Sequence, residues 1–244
     1  MKTIRMIVLL LLAMPAMAQR PIDFMPVEWP ESGSIVVPVS EGETLTGLAA
    51  ELDERTGGAI AMAAVEGQFK GEKGQTLTLF GIKPYARIDL IGVGGETVNR
   101  VGAEDFGGLA AGLNDGTSGS TVQILWSGVD RESDATAARV AFGYRLGDYR
   151  FDRYQEERLD PDARGRVIVL SDDAGAASQF SGDLEHLAAS VYLARNLSSE
   201  PGNIIYPQSF VDRVRARFDG VDNVKIRVLD EKDLKRLGMG AHLG

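Results

Sequence analysis

The residue types that carry most enzyme chemistry are scarce in this chain. It contains no cysteine and only two histidines, His186 and His242. Thiol nucleophiles, thiolate metal sites, disulfides and histidine-rich metal centres are therefore excluded. His186 lies beside the apolar stripe of a predicted helix, and His242 lies in a glycine-containing segment after another helix. Both positions favour structural residues over metal ligands.

Two loops carry patterns that could bind a ligand, and each has a simpler explanation. Asp172–Asp173 follows a predicted strand, but no third oxygen ligand is identifiable nearby, so a solvated turn is favoured over a cation site. Gly92–Gly95 also follows a strand, yet Thr97 stands where a dinucleotide fingerprint requires its third glycine, which favours a strand-ending turn. Ser32–Ser34 and Ser118–Ser120 lack a paired histidine. We assign no catalytic, cofactor-binding or metal-ligating residue to this chain.

Composition and charge restrict the function classes further. The 244 residues include 26 Lys and Arg against 35 Asp and Glu, a formal net charge of −9. Nucleic-acid binding needs a surplus of basic residues to meet the phosphate backbone, so the acidic balance argues against it. With 44% hydrophobic and 25% charged residues, the chain has an ordinary globular composition. Its length suits one large domain or two modest ones.

The first eighteen residues predict a cleaved signal peptide. Lys2 and Arg5 supply the basic start, Met6–Met14 is apolar, and Ala16–Ala18 has the small-x-small pattern of a cleavage site. Nine apolar residues are too short to cross the roughly 30 Å hydrocarbon core of a bilayer. We expect cleavage after Ala18, a mature chain from Gln19, a periplasmic location and no stable membrane anchor.

The remaining pattern predicts an α/β fold with a mixed β-sheet flanked by helices. Residues 19–33 contain three prolines and read as an extended lead-in. Residues 34–178 alternate strands with helices, which is typical of a sheet covered on both faces. Pro38 places the first strand at an edge of the sheet. The predicted strands cover 35–39, 76–80, 87–93, 121–126 and 166–170, and the predicted helices cover 46–55, 103–113 and 133–146.

A second unit follows a linking helix predicted over residues 179–198. Asp183 is the expected N-cap of that helix, whose apolar residues recur at helical spacing. Residues 199–244 are predicted as the incomplete start of a second α/β domain. This part contains a helix from Pro207, a strand over Val224–Leu229, and a short helix after Asp230 that ends at Gly238.

Three stretches of the chain resemble one enzyme family. They are Gly67–Leu77 with the strand Ile88–Gly94, then Leu146–Tyr154, and finally Ala194–Asn203 with Val228–Ala241. In this order they resemble the leucyl aminopeptidase family, the M17 metallopeptidases. Ser199 and Tyr206 depart from the family pattern, which commonly has Asn and Thr there. The closing "LGMGA" is the most specific motif.

The resemblance implies a macro-domain-like N-terminal domain followed by the start of a catalytic domain. In the family, the catalytic residues and the ligands of two divalent ions, Zn or Mn, lie beyond the "LGMGA" segment, and the enzyme is a hexamer. This sequence ends at Gly244. We therefore expect the N-terminal, non-catalytic part of an exported M17-type aminopeptidase, which is inactive alone and binds no cofactor itself. The alternatives are a stand-alone structural or assembly module, and a macro-like module that binds a nucleotide or ADP-ribose.

Overall fold

The computed structural model describes residues 19–42, 44–115, 119–132, 136–156 and 164–243. The chain divides into two compact units, one ending at Tyr192 and one beginning at Leu193. The predicted signal peptide, residues 1–18, lies outside the described residues. None of the described helices is both long enough and apolar enough to span a membrane.

A six-stranded sheet organises the first unit, in the order β1-β6-β5-β2-β4-β3. The pairs are parallel except for β3 with β4, which is antiparallel, so the sheet is mixed as predicted. The strands are β1 (Ile22–Met25), β2 (Gly33–Ser40), β3 (Thr76–Phe80), β4 (Tyr85–Gly94), β5 (Val122–Leu125) and β6 (Val167–Leu170).

Helices cover both faces of this sheet, which confirms the predicted fold class. They are α1 (Gly47–Arg55), α2 (Ala59–Glu66), α3 (Arg100–Leu113), α4 (Thr136–Gly147), α5 (Ala176–Gln179), a π-helical turn (Phe180–Leu184) and α6 (Glu185–Ser199), which runs past residue 192. Alternation along β2 explains the two cores, because neighbouring strand residues point to opposite faces. Val36 joins the core formed with α3 and α4, whereas Ile35 and Val37 join the core formed with α1 and α2.

The edge position expected for the first strand is wrong. β2 is central and lies between β4 and β5. Its pairing with β5 covers only Ser34–Val36, whereas its pairing with β4 continues to Ser40. Pro38 therefore lies where β2 is paired on one side, which is the local situation that a strand proline requires.

Two further elements were missed by the sequence patterns. The predicted extended lead-in contains β1, which pairs in parallel with β6. Gly57 and Gly58, expected only to stop α1, also begin α2, with Gly58 as its N-cap at a φ of 86°. A left-handed conformation of this kind is accessible mainly to glycine.

Glycines allow α3 and α4 to cross at very close range. A Cβ atom added to Gly107 would lie 2.0 Å from the Val140 carbonyl oxygen, and one added to Gly143 would lie 2.0 Å from the Glu104 carbonyl oxygen. No larger side chain fits between the two backbones without moving them. The start of α4 was predicted at Ser133, and residues 133–135 lie outside the described part of the chain.

The linking helix is confirmed in position but not in its capping residue. Asp183 lies inside the π-helical turn, with α5 before it and α6 after it, so it does not begin a helix. Leu184, Ala188 and Tyr192 form the buried side, as their spacing predicted. Leu187, which was assigned to the same stripe, is 48% exposed.

The second unit contains α7 (Pro207–Phe218), α8 (Glu231–Arg236) and a 3-10 turn (Gly240–His242). Pro207 occupies the first turn of α7, and the Asp230 side chain accepts a hydrogen bond from the Asp233 N–H at 2.8 Å. Both starts were predicted. Glu200 is buried and accepts a hydrogen bond from the Arg213 guanidinium at 2.7 Å.

The strand predicted over Val224–Leu229 is wrong. The segment has no strand partner among the described residues, and Val224, Ile226 and Val228 are 37–39% exposed. Alternation of apolar and basic residues favours a strand, but a strand forms only where another backbone accepts its hydrogen bonds. Within the described residues, this unit is therefore helical with connecting segments.

Candidate functional site

The carboxyl ends of the parallel strands are where open α/β sheets bind ligands. Here that edge carries Gly92–Gly95 at the end of β4. The Gly92 N–H donates to the Gln75 carbonyl at 2.8 Å, and the Gly94 N–H donates to the Gly71 carbonyl at 3.0 Å. A Cβ on Gly92 would lie 2.1 Å from the Glu72 carbonyl oxygen. The glycine of this turn therefore faces main chain from residues 71–72, which fills the space that a phosphate would need.

Two segments that resemble the M17 family are thus packed on each other. Gly71 has a φ of 75°, and a Cβ there would lie 2.5 Å from the Ser40 carbonyl oxygen. Thr97 occupies the third-glycine position of the fingerprint, and its hydroxyl donates to the Asp130 carboxylate at 2.7 Å. The strand-ending turn, favoured from the sequence, matches this geometry.

The same edge is closed further along by a second glycine contact. A Cβ on Gly47, which has a φ of 55°, would lie 2.6 Å from the Gly128 carbonyl oxygen. The start of α1 therefore rests directly on the loop after β5. Within this loop, the Ser127 hydroxyl lies 3.3 Å from the Asp172 carboxylate and donates to it.

Asp173 serves local structure. Its Oδ1 accepts a hydrogen bond from the Gly175 N–H at 2.9 Å, and its own N–H donates to the Ser171 hydroxyl at 3.2 Å. Asp172 is exposed beside it. This is the turn expected for Asp172–Asp173, since a side-chain oxygen that binds the N–H two residues on stabilises such a turn.

The histidines and serines considered from the sequence lie apart. His186 is exposed on α6, and its carbonyl accepts a hydrogen bond from the Ser190 hydroxyl at 2.9 Å. His242 is exposed in the 3-10 turn of the second unit. Ser34 is buried within β2. Ser118 is outside the described residues.

A buried polar cluster was missed by the sequence patterns. Asp148 receives a hydrogen bond from the Arg164 guanidinium at 2.6 Å, and the Arg20 guanidinium lies 3.6 Å from the same carboxylate oxygen. Arg20 also donates to the Tyr144 hydroxyl at 3.2 Å and to the Asn114 carbonyl at 3.1 Å. All five residues are buried. The cluster thus ties the chain near residue 20 to α4.

Arg145 extends this cluster. Its guanidinium donates to the Arg20 carbonyl at 2.7 Å and lies 3.8 Å from the Glu185 carboxylate. The Tyr192 hydroxyl donates to the Arg145 carbonyl. The cluster therefore joins the lead-in, α4 and α6. The one signal in the sequence was the family-like segment Leu146–Tyr154, which contains Asp148 but gives no indication of its partners.

Burial controls the protonation of these groups. Burial raises the pKa of the Tyr144 phenol to about 12, and the Arg20 guanidinium opposes that rise. Burial also raises the pKa of Asp148, although the guanidinium groups of Arg164, Arg20 and Arg145 oppose it. Burial lowers the pKa of Arg145. These shifts follow from desolvation of charged forms, and an arginine-lined carboxylate inside the fold has a structural role.

A second buried carboxylate, Asp89, is held by neighbouring strands. It accepts hydrogen bonds from the Thr78 hydroxyl at 2.6 Å, the Arg87 guanidinium at 2.9 Å and the Asn114 amide at 3.1 Å. Because Asn114 also binds Arg20, the two carboxylate clusters are linked. Neither is a catalytic pair, since each carboxylate is enclosed by donors from the protein.

One surface cavity of about 570 Å³ lies between α1, α2 and the end of β2. Its lining includes the acidic Asp53 and Glu54 together with the apolar Leu45, Val65 and Phe69. Asp53 is already used as a hydrogen-bond acceptor for the Ala61 N–H at 2.8 Å, at the start of α2.

The described residues do not fit the dinuclear metal centre that the family resemblance implies. Nowhere in the described ranges do three or more His, Asp or Glu side chains come together as a group able to hold a metal ion. The carboxylates that are buried in this part of the chain bind arginine, amide or hydroxyl groups instead. We therefore derive no hydrolytic step from these residues.

The fold belongs to the class of mixed α/β sheets that are covered by helices on both faces. The polar clusters among the described residues stabilise that fold. Solved structures share this fold. A tomato leucine aminopeptidase mutant superposes with a TM-score of 0.78 at 21% identity, covering 94% of this chain and 48% of that one. The bottromycin maturation enzyme BotP in complex with Mn gives a TM-score of 0.52 at 21% identity, covering 76% and 36%.

Sequence comparison identifies the family. Residues 36–158 match the N-terminal domain of the cytosol aminopeptidase family. A probable cytosol aminopeptidase of Caulobacter vibrioides is 35% identical over 91% of this chain, and a cytosol aminopeptidase of Pseudomonas aeruginosa is 29% identical over 87%. The chain spans 45% of the length of each. The chain belongs to the cytosol aminopeptidase family, peptidase family M17, as its motifs indicated.

Proposed function

We propose that this chain is the N-terminal, non-catalytic part of an exported M17 aminopeptidase. The observation that carries the proposal is the match of residues 36–158 to the family's N-terminal domain. The parent enzyme would remove N-terminal residues from peptides. Two divalent ions, Zn or Mn, would polarise the scissile carbonyl and activate water there. The macro-like sheet domain would then serve architecture and assembly, in a hexamer of the parent.

The packing of the sheet edge supports this architectural role over nucleotide binding. The end of β4 faces main chain from Gly71 and Glu72, and the start of α1 rests on Gly128. A nucleotide-binding edge keeps its glycine turn open so that phosphate oxygens can approach backbone N–H groups. Here the corresponding N–H groups of Gly92 and Gly94 already bind the carbonyls of Gln75 and Gly71.

Assay of the purified chain tests the catalytic part of the proposal. We expect no release of a chromogenic leaving group from a leucine amide substrate, with Mn²⁺ or Zn²⁺ added. A full-length relative, such as the Caulobacter vibrioides protein, is the positive control. Metal-dependent hydrolysis by the chain alone would overturn the proposal. Sequencing the DNA after codon 244 gives an independent test, since the proposal expects a frame with lysine- and aspartate-bearing metal motifs.

Export is the second part of the proposal, and the basic, apolar and small-residue pattern of residues 1–18 supports it. Fractionation of the native host should recover the chain from the periplasm with Gln19 as its first residue. Recovery from the cytosol with Met1 intact would contradict export and leave the family membership unchanged.

A further inference from the structure

We propose that Gln19 is a modification site: once it is N-terminal, it cyclises to pyroglutamate. This inference rests on the export and cleavage that we propose above. The structure shows that the chain is fixed from the next residue onward, that the Gln19 side chain is exposed, and that positive charge gathers near it.

The chain is fixed from the residue after Gln19 onward. Arg20 is 2% exposed, and its guanidinium donates to the Asn114 carbonyl at 3.1 Å and to the Tyr144 hydroxyl at 3.2 Å. The Arg20 carbonyl accepts from Arg145 at 2.7 Å. The Pro21 carbonyl accepts from the Val167 N–H at 2.9 Å. An exopeptidase would have to extract these groups from the folded domain to trim past Arg20.

Gln19 itself is exposed, and its side chain makes no hydrogen bond to the other described residues. The amide can therefore approach its own α-amine. The neutral amine nitrogen attacks the side-chain carbonyl carbon Cδ, and a bond from that nitrogen to Cδ forms. The bond from Cδ to Nε2 breaks, and ammonia leaves with the proton that the amine gives up. The product is a five-membered lactam, and the step needs no co-reactant.

Local charge favours the product. The guanidinium groups of Arg20, Arg145 and Arg164 gather around the Asp148 carboxylate, and one of them binds the carbonyl of the residue next to Gln19. A positive α-ammonium at Gln19 would add a like charge near these guanidinium groups. The lactam removes that charge permanently.

The modification would protect the protein from its own class of enzyme. Aminopeptidases act on a free α-amine, and a lactam offers none. A chain that begins with pyroglutamate and continues into a buried arginine presents no substrate to them.

Intact mass measurement tests the proposal. The full chain with its own leader is expressed in a Gram-negative host, collected from the periplasm and incubated at neutral pH. We expect the mass of residues 19–244 less one ammonia, with no α-amine that reacts with an amine-directed reagent. The matched variant Gln19→Ala should show the full mass of its mature chain and a reactive α-amine. A broad-specificity aminopeptidase should remove the substituted first residue from that variant and leave the cyclised wild-type chain intact.

Each other outcome has a separate meaning. A mature wild-type chain that keeps the ammonia and a reactive amine after incubation overturns the cyclisation and leaves export standing. A chain that retains Met1 overturns both, because no Gln19 amine then forms. Removal of the first residue of the wild-type chain by the same aminopeptidase would also overturn the cyclisation.

Discussion

The close crossing of α3 and α4 predicts that a single methyl group at Gly107 destabilises the fold. A Cβ there would lie 2.0 Å from the Val140 carbonyl oxygen and 2.7 Å from the Tyr144 backbone nitrogen, whereas ordinary contacts begin at 3.4 Å. The helices must separate by more than 1 Å to accept it. Both contacts are main-chain atoms, so no side-chain rotation can relieve them.

The expected change in the free energy of unfolding follows from two opposing effects of the added methyl group. Alanine is favoured over glycine in a helix by about 1 kcal/mol. Overpacking costs about 1–3 kcal/mol and more where backbone must move, which applies here. We expect Gly107→Ala to lower the free energy of unfolding by about 2 kcal/mol. Gly112→Ala is the matched control, because it lies on the same helix with no atom within 4 Å of its added Cβ. It should stabilise by up to about 1 kcal/mol.

Urea unfolding of the mature chain measures the difference. Trp126 is fully buried and lies 4.8 Å from Phe106 of α3, between ring centroids, so its fluorescence reports this core. A Trp29→Phe background removes the signal of the other tryptophan, since the chain has two. With a slope of about 2–3 kcal/mol per molar urea, the two variants should differ by about 1 M in midpoint. A Gly107→Ala variant as stable as Gly112→Ala would refute the reasoning.

Three further predictions concern the buried cluster and the second unit. Because the pKa of Tyr144 is raised from 10.0 to about 12, the native state holds a proton that the unfolded chain has released between these values. Stability should therefore fall by about 2–3 kcal/mol as pH rises from about 10 to 12, and Tyr144→Phe should flatten that fall in unfolding titrations. Asp148→Asn removes the carboxylate that Arg20 and Arg164 share, and it should lower the free energy of unfolding by about 3–5 kcal/mol at neutral pH. The control Asp183→Asn, at an exposed position, should change that free energy by less than about 0.5 kcal/mol. Equal effects of the two variants in chemical denaturation would contradict the role of the cluster. Limited proteolysis should cut first between residues 198 and 243, and earlier cuts between 70 and 170 would show that the first unit is the weaker one.

The sequence patterns predicted elements whose signals are local. The Asp230 cap, the proline start of α7 and the apolar run of β6 all depend on neighbouring residues, and the structure confirms them. Two of the errors concern pairing. Pro38 lies in a central strand, and Val224–Leu229 forms no strand, because each outcome depends on which distant backbone lies alongside.

The buried cluster was beyond sequence reasoning for the same reason. Arg20 and Tyr144 are 124 residues apart in the chain. An arginine near a predicted cleavage site and a tyrosine in a helix carry no local indication that they meet. The sequence also led us to predict that this chain carries no catalytic residue. That prediction is tested by the hydrolysis assay.

The pairing of β1 with β6 also dictates the order in which the protein can fold. The strand nearest the N-terminus cannot add to the sheet until Val167–Leu170 has been synthesised, since those residues supply its hydrogen bonds. Arg20 likewise has no pocket until α4 exists. Contacts between such distant segments form late, because they close long loops at an entropic cost. If residues 1–18 direct export as we propose, the segment next to the leader therefore has no strand partner until residue 170 has been synthesised.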